Sequence, residues 1–270
     1  MSDAEIDRPE IAKWDPGLTE RVMGVLRPFV KRYFRSEVRG LENIPPVGGA
    51  LVVSNHSGGL FAMDLPIFAV DVYDKFGYDR PIYTLSHDMI FAGPTAGFFV
   101  RTGFIRANPE NAAKALRAGG LVVVFPGGDY DVYRPTVWEN VIDFDGRTGY
   151  VRTAIEAGVP IVPVVSIGGQ ETQLYLSRGT WLADRLGPIA RLVRTKILPV
   201  SFGFPFGLSV VIPPNLPLPS KIVAEVLEPI DIAAQFGDDP DIAEVDAHVR
   251  SVMQTALDRL GRKRRLPVLG

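Results

Sequence analysis

The chain has 270 residues, 46% hydrophobic and 22% charged, with a net charge of −2. That length supports one large core or a core with an appendage, and the charge balance argues against wholesale nucleic-acid binding. The chain has no cysteine, which excludes disulfides, thiolate nucleophiles and cysteine-based zinc sites.

Residues 1–16 are polar and acidic, with no apolar core of a secretory signal. No window reaches the roughly 20 uncharged apolar residues of a membrane span. From Leu18 to Arg35 apolar residues recur at helical spacing, opposite a face bearing Arg21, Arg27, Lys31, Arg32 and Arg35. Such a helix either packs on the domain with a solvated basic face or lies on an anionic membrane. Pro28 is expected to kink or break it. Residues 1–40 are thus read as a leader with an amphipathic helix, and 41–270 as the main domain.

Ala50 to Ser54 is a short apolar run that ends in Asn55-His56-Ser57-Gly58-Gly59, with Asp64 close behind. A helix is predicted for Asp64–Phe76, closed by Gly77, and a strand for Pro81–Leu85. Asn108-Pro109 starts another helix through a capping side chain and a proline at the first helical position. Leu121–Phe125 is a second apolar strand, ending at Pro126-Gly127-Gly128-Asp129. After a helix over 148–157, the strand Pro160–Ser166 ends at Gly168-Gly169. Strand, glycine loop and helix in repetition imply an α/β fold with a largely parallel central sheet flanked by helices. Ligands gather at the C-terminal ends of such strands, so the three glycine loops should converge on one edge.

Residues 181–218 change character. Apolar and basic residues mix through Lys196, and a proline-rich apolar stretch with Phe202, Phe204 and Phe206 follows. Either a core strand pair preceded by an amphipathic helix or a surface that meets lipid fits that pattern. A last strand is expected over 221–226 and an amphipathic helix over 241–260, ahead of the basic run Arg262-Lys263-Arg264-Arg265.

The polar cluster limits the chemistry. Serine hydrolysis needs a G-x-S-x-G elbow, and around Ser166 a valine, Val164, replaces the first glycine. His56, His87, Asp64, Asp88, Asp129 and Asp131 include no H-E-x-x-H or other close histidine pair, so no metal site is expected. Neither phosphate-binding glycine motif for nucleotides occurs. General-base chemistry remains. A neutral His56, oriented by a carboxylate, can take a proton from an attacking hydroxyl while glycine amides stabilise the developing oxyanion. His87 is the rival base, and His248 is expected to face solvent.

Four ordered blocks resemble the phospholipid/glycerol acyltransferase superfamily, closest to its monoacylglycerol and diacylglycerol acyltransferase branch. They are Val52 to Asp64, Gly103-Phe104-Ile105 to Asn108, Val124-Phe125-Pro126-Gly127-Gly128, and Gly149-Tyr150-Val151-Arg152 through Val159-Pro160-Ile161-Val162-Pro163. The resemblance implies an O-acyltransferase with His56 as base and Asp64 as its orienting acid. It implies acyl-CoA or acyl-carrier protein as donor, no cofactor, and a glycerolipid acceptor at the inner face of a membrane, on the cytoplasmic side. Ser57, Gly58, Gly59, Arg106, Gly127, Gly128, Asp131, Arg134 and Arg147 are the expected substrate contacts.

Two departures stand out. The family places four residues between histidine and acid, but seven intervene here, and Phe61 occupies the expected position. A continuous helix would separate the pair by about 12 Å. Either Gly58-Gly59 folds the loop back, or Asp88 or Asp129 orients His56. The third block also lacks the Glu-Gly-Thr-Arg of phosphate-binding members, which favours a neutral mono- or diacylglycerol. Arg134 or Arg147 would restore a phosphate contact, so lysophosphatidate is the alternative acceptor. A non-catalytic lipid-binding protein on the same scaffold is the alternative to an enzyme.

Overall fold

The computed structural model describes residues 10–270 except 139, 187–196, 211–212 and 267. Seven strands form the main sheet: β1 (Glu37–Arg39), β2 (Ala50–Ser54), β3 (Ile82–Ser86), β4 (Phe104–Arg106), β5 (Leu121–Val124), β6 (Ile161–Ile167) and β10 (Val223–Val226). Their order is β1-β10-β6-β2-β5-β3-β4. All neighbours are parallel except β10 and β6. β2 is central, paired on both sides and buried throughout.

Alternation along β2 divides the core. Leu51 and Val53 enter one apolar layer with Val122, Val165 and Met253, while Ala50 and Val52 enter the other with Val123, Val162 and Ile67. A run apolar at every position is what a strand covered by helices on both faces requires. The first layer is covered by α4 (Pro109–Arg117), α6 (Gly149–Ala157) and α9 (Ile242–Lys263). The second is covered by α1 (Pro16–Arg32) and α2 (Asp64–Phe76). Side-chain caps start several of these helices. Asn108 accepts from the Asn111 amide at 2.8 Å, and Asp241 from the Ala243 amide at 2.7 Å.

α1 runs through Pro28 as one helix. The missing amide would have met the Gly24 carbonyl, and both residues are exposed, which leaves that carbonyl open to solvent. Arg27 pairs with Asp74 of α2, and Lys31 lies 2.5 Å from Asp71, which joins part of the basic face to the domain. β1 follows α1 into the main sheet, so residues 16–39 belong to the same body as the rest. A separate sheet of β7 (Leu174–Ser177), β8 (Val200–Gly203) and β9 (Gly207–Val210) follows α7 (Thr180–Leu186) in part; only its last two strands fall in the expected strand pair. The rest of the basic-apolar segment before β8 lies outside the described residues. Among the described residues, no helix is long and apolar enough to cross a membrane.

Candidate active site

β2, β5 and β6 end on the same edge, and their glycine loops meet there. β2 delivers His56, and the loop turns at once through Gly58 (φ +89°) and Gly59 (φ +65°). Both values lie in the left-handed region that glycine adopts without strain. A side chain on Gly59 would collide with the Tyr175 hydroxyl, so the loop is pressed onto β7. A short turn over Gly59–Phe61 then leads into α2, whose first residue is Asp64.

The turn closes the gap that the sequence spacing opened. His56 Nδ1 lies 3.1 Å from Asp64 Oδ2. The same oxygen accepts the Ser57 amide at 2.7 Å, while Oδ1 accepts the hydroxyls of Ser57 at 3.0 Å and Ser166 at 2.9 Å. An ionised carboxylate only accepts, so Nδ1 carries the proton and Nε2 is left as the basic nitrogen. Asp64 is 3% exposed and sits in the first turn of α2, where the helix dipole favours negative charge. The His56 side chain is 22% exposed and stacks on Phe125 with ring centres 4.2 Å apart.

A second carboxylate fixes the backbone. Asp131, in α5 (Gly128–Val132), accepts the His56 amide at 2.7 Å and pairs with Arg134 at 2.6 Å. Both partners are almost fully buried. Burial pushes the Asp131 carboxyl up to about 6, against the opposing pull of Arg134 and the His56 amide. Gly127 leaves the space that Asp131 fills, and a side chain there would strike the Asp131 Cβ.

Several expected substrate contacts have partners within the protein. Ser57 is buried with its amide and hydroxyl on Asp64. Asp131 and Arg134 are spent on each other and on the chain around them, with Arg134 also donating to the Val141 carbonyl. The Gly128 amide is committed to the Phe125 carbonyl at 3.0 Å. Arg106 stands at the end of edge strand β4, paired with Glu10 and Asp88 and stacked on Phe91. Three strand spacings, about 14 Å, separate β4 from β2. Arg147 remains beside the third-block loop and half-exposed. It donates to the Gly127 carbonyl at 3.0 Å and pairs with Asp129 at 3.0 Å. Asp129 and Asp88, the alternative orienting acids, are thus engaged with Arg147 and Arg106. His87 accepts the Met89 amide through Nδ1 at 3.2 Å, and His248 is exposed.

The sequence reading missed three contributors. Ser166, weighed only as a nucleophile, holds Asp64. Asn55 exchanges two 2.8 Å hydrogen bonds with the Ser166 backbone and ties the end of β2 to that of β6. Phe125 supplies the face on which His56 rests. All three lie at strand ends on the converging edge, and that placement was the available signal.

The chain is similar in sequence to known proteins. The family model described as Acyltransferase matches residues 35–167. An uncharacterized protein of Mycobacterium tuberculosis is 34% identical over 253 residues, covering 92% of this chain and 68% of that one. The chain spans 62% of the length of a similar Mycobacterium leprae protein, which is 36% identical over 240 residues and covers 87% of this chain. The bovine DGAT1/2-independent enzyme synthesizing storage lipids is 26% identical over 243 residues, covering 85% of this chain and 66% of that enzyme. In fold, the chain resembles the crystal structure of the 1-acyl-sn-glycerophosphate (LPA) acyltransferase PlsC from Thermotoga maritima. That match has a TM-score of 0.53 at 20% identity, with 90% of this chain and 81% of that chain covered. The family model and the relatives agree, and the chain belongs to the acyltransferase family.

Proposed function

We propose that the protein moves a fatty acyl group from an acyl thioester to a glycerolipid hydroxyl, with His56 as general base and Asp64 as its orienting acid. The 3.1 Å contact between His56 Nδ1 and Asp64 carries this reading. His56 Nε2 takes the hydroxyl proton as the acceptor oxygen attacks the thioester carbonyl. The tetrahedral oxyanion collapses, the carbon–sulfur bond breaks, and the departing sulfur takes the proton back from the imidazolium. The products are an ester and a free thiol. Asp64 steadies the imidazolium between the two proton transfers. Backbone amides of the glycine loops, at Gly58, Gly59 and Gly127, are the candidates to stabilise the oxyanion. The donor is acyl-CoA or acyl-carrier protein.

The acceptor is a neutral mono- or diacylglycerol in this reading. Arg106, Arg134 and Arg147 all have carboxylate partners, and Asp129 and Asp145 both flank Arg147. Free positive charge for a phosphate is therefore scarce. The bovine relative is an enzyme synthesizing storage lipids, which agrees, while the bacterial relative in fold is an acyltransferase of a phosphorylated acceptor. The enzyme works at a membrane surface on the cytoplasmic side, where acceptor lipids reside. Incubation with labelled acyl-CoA and a panel of glycerol, monoacylglycerol, diacylglycerol and lysophosphatidate decides among acceptors. Labelled diacyl- or triacylglycerol is the expected product. Product from lysophosphatidate alone would overturn the neutral acceptor, and full activity in His56→Ala would overturn the mechanism.

A further inference from the structure

The small sheet is inside out. On a sheet with one wet face, apolar side chains point to the core and polar ones to water. Here the inward row is Tyr175, Ser201 and Ser209, paired in register. Ser201 and Ser209 are 6% and 7% exposed, and their hydroxyls meet at 3.1 Å. The outward row is Leu174, Phe202 and Leu208, with Phe202 52% and Leu208 65% exposed. Phe204 and Leu216 are exposed beside Leu174 and Phe202, and Leu176 and Phe206 are exposed as well.

Charge marks this surface as unusual. Residues 197–220 contain no charged side chain, and neither does β7. Water-facing edge strands usually carry lysine or another charge that blocks aggregation. The 22-residue sequence that joins β7 to β8, residues 178–199, holds Arg178, Arg185, Arg191, Arg194 and Lys196 against the single acid Asp184. Within it, Trp181 is half-exposed with the Arg185 guanidinium 5.3 Å from its ring. Tryptophan beside cationic side chains suits the boundary between hydrocarbon and headgroups. An apolar cleft of about 450 Å³ opens on this face among Leu174, Phe202, Phe204, Pro205, Leu216 and Leu218.

From these features we infer that the outer face of the small sheet docks on an anionic lipid bilayer and seats an acyl chain in its cleft. The inference rests on the reading of this chain as an enzyme that draws its acceptor from a lipid surface, and it adds the face that does so. The geometry suits the task. The inner side of the sheet presses Tyr175 onto Gly59, and Thr172 lies against Gly58. Leu218 donates to the Thr172 carbonyl at 2.7 Å. Only the small sheet and its Tyr175 side chain therefore lie between that outer face and the glycine loop after His56.

The test is flotation of the full chain with phosphatidylcholine vesicles, with and without phosphatidylglycerol. Binding to the anionic vesicles is expected, with weakening in high salt. Phe202→Ser with Leu208→Ser should reduce the bound fraction about tenfold or more. Phe202→Trp should retain binding and have its fluorescence quenched by brominated acyl chains. His56→Ala should float like the unmodified protein, so loss of the catalytic reading leaves this one standing. Absence of vesicle binding, binding indifferent to the paired serine substitutions, or a dimer in sedimentation velocity that those substitutions dissolve would each overturn the proposal.

Discussion

The two sheets of this protein obey opposite rules. In β2 every residue is buried, and polar chemistry begins only where the strand stops, at Ser54, Asn55 and His56. In the small sheet polar side chains point inward and apolar ones outward. The first arrangement makes a rigid frame that holds a histidine, two carboxylates and a serine in fixed register. The second makes a surface. Burial on both faces marks a frame, whereas inversion leaves an apolar face uncovered.

If the edge of the main sheet is the reaction centre, the largest effects belong there. His56→Ala should lower kcat by about 10³-fold or more in acyl transfer, with the far-UV spectrum unchanged. Asp64→Asn should cost less, about 10²-fold. The asparagine oxygen can still accept from His56 Nδ1 and the Ser57 amide, so orientation survives and only the charge that steadies the imidazolium goes. Single-turnover rates of the two variants check the order. An Asp64→Asn enzyme as slow as His56→Ala would make the charge of Asp64, not its orienting contact, the main contribution.

Much of this centre was legible in sequence. Apolar runs bounded by glycines located β2, β5 and β6, and the rule that ligands gather at strand ends brought their loops together. Asp64–Phe76 is both the predicted and the observed helix. The His56–Asp64 contact was not legible, because two left-handed glycines and a short turn decide it, and residue spacing carries no record of loop path. That Ser57, Asp131 and Arg134 hold the chain around the site was not legible for a related reason. Polar residues near a strand end look alike in sequence whether they face a ligand or hold the frame. The small sheet was the hardest to read, since Phe202, Phe204 and Phe206 fit a core strand and an exposed one equally well.

The frame itself is the next place to press. Asp131→Ala leaves the buried Arg134 unpaired and the His56 amide without its acceptor, a loss of about 3 kcal/mol or more in urea unfolding. The pH dependence has a definite sign. The folded carboxyl titrates near 6, above the ordinary 3.8, so between those values the native state binds more protons than the unfolded chain. The contribution of this group to stability therefore falls as pH rises from 4 to 6 and is flat above. Relative to Asp131→Asn with Arg134→Met, the unmodified protein should gain stability as pH drops through 6. A gain in the opposite direction would mean that Arg134, not burial, dominates Asp131.

The smallest effect bears most directly on the contrast between the sheets. Val53→Ala removes two methyl groups from a fully buried position in β2 and should cost about 2 kcal/mol. Leu208→Ser removes a larger apolar side chain from β9, yet its leucine is mostly exposed, so stability in water should change by less than about 0.5 kcal/mol. Chemical denaturation of both variants measures the difference. If Leu208→Ser destabilises as much as Val53→Ala, the outer row of the small sheet belongs to a core, and its apolar face has a partner within the chain. If the change stays near zero, the free energy of those side chains is realised only when something apolar covers them.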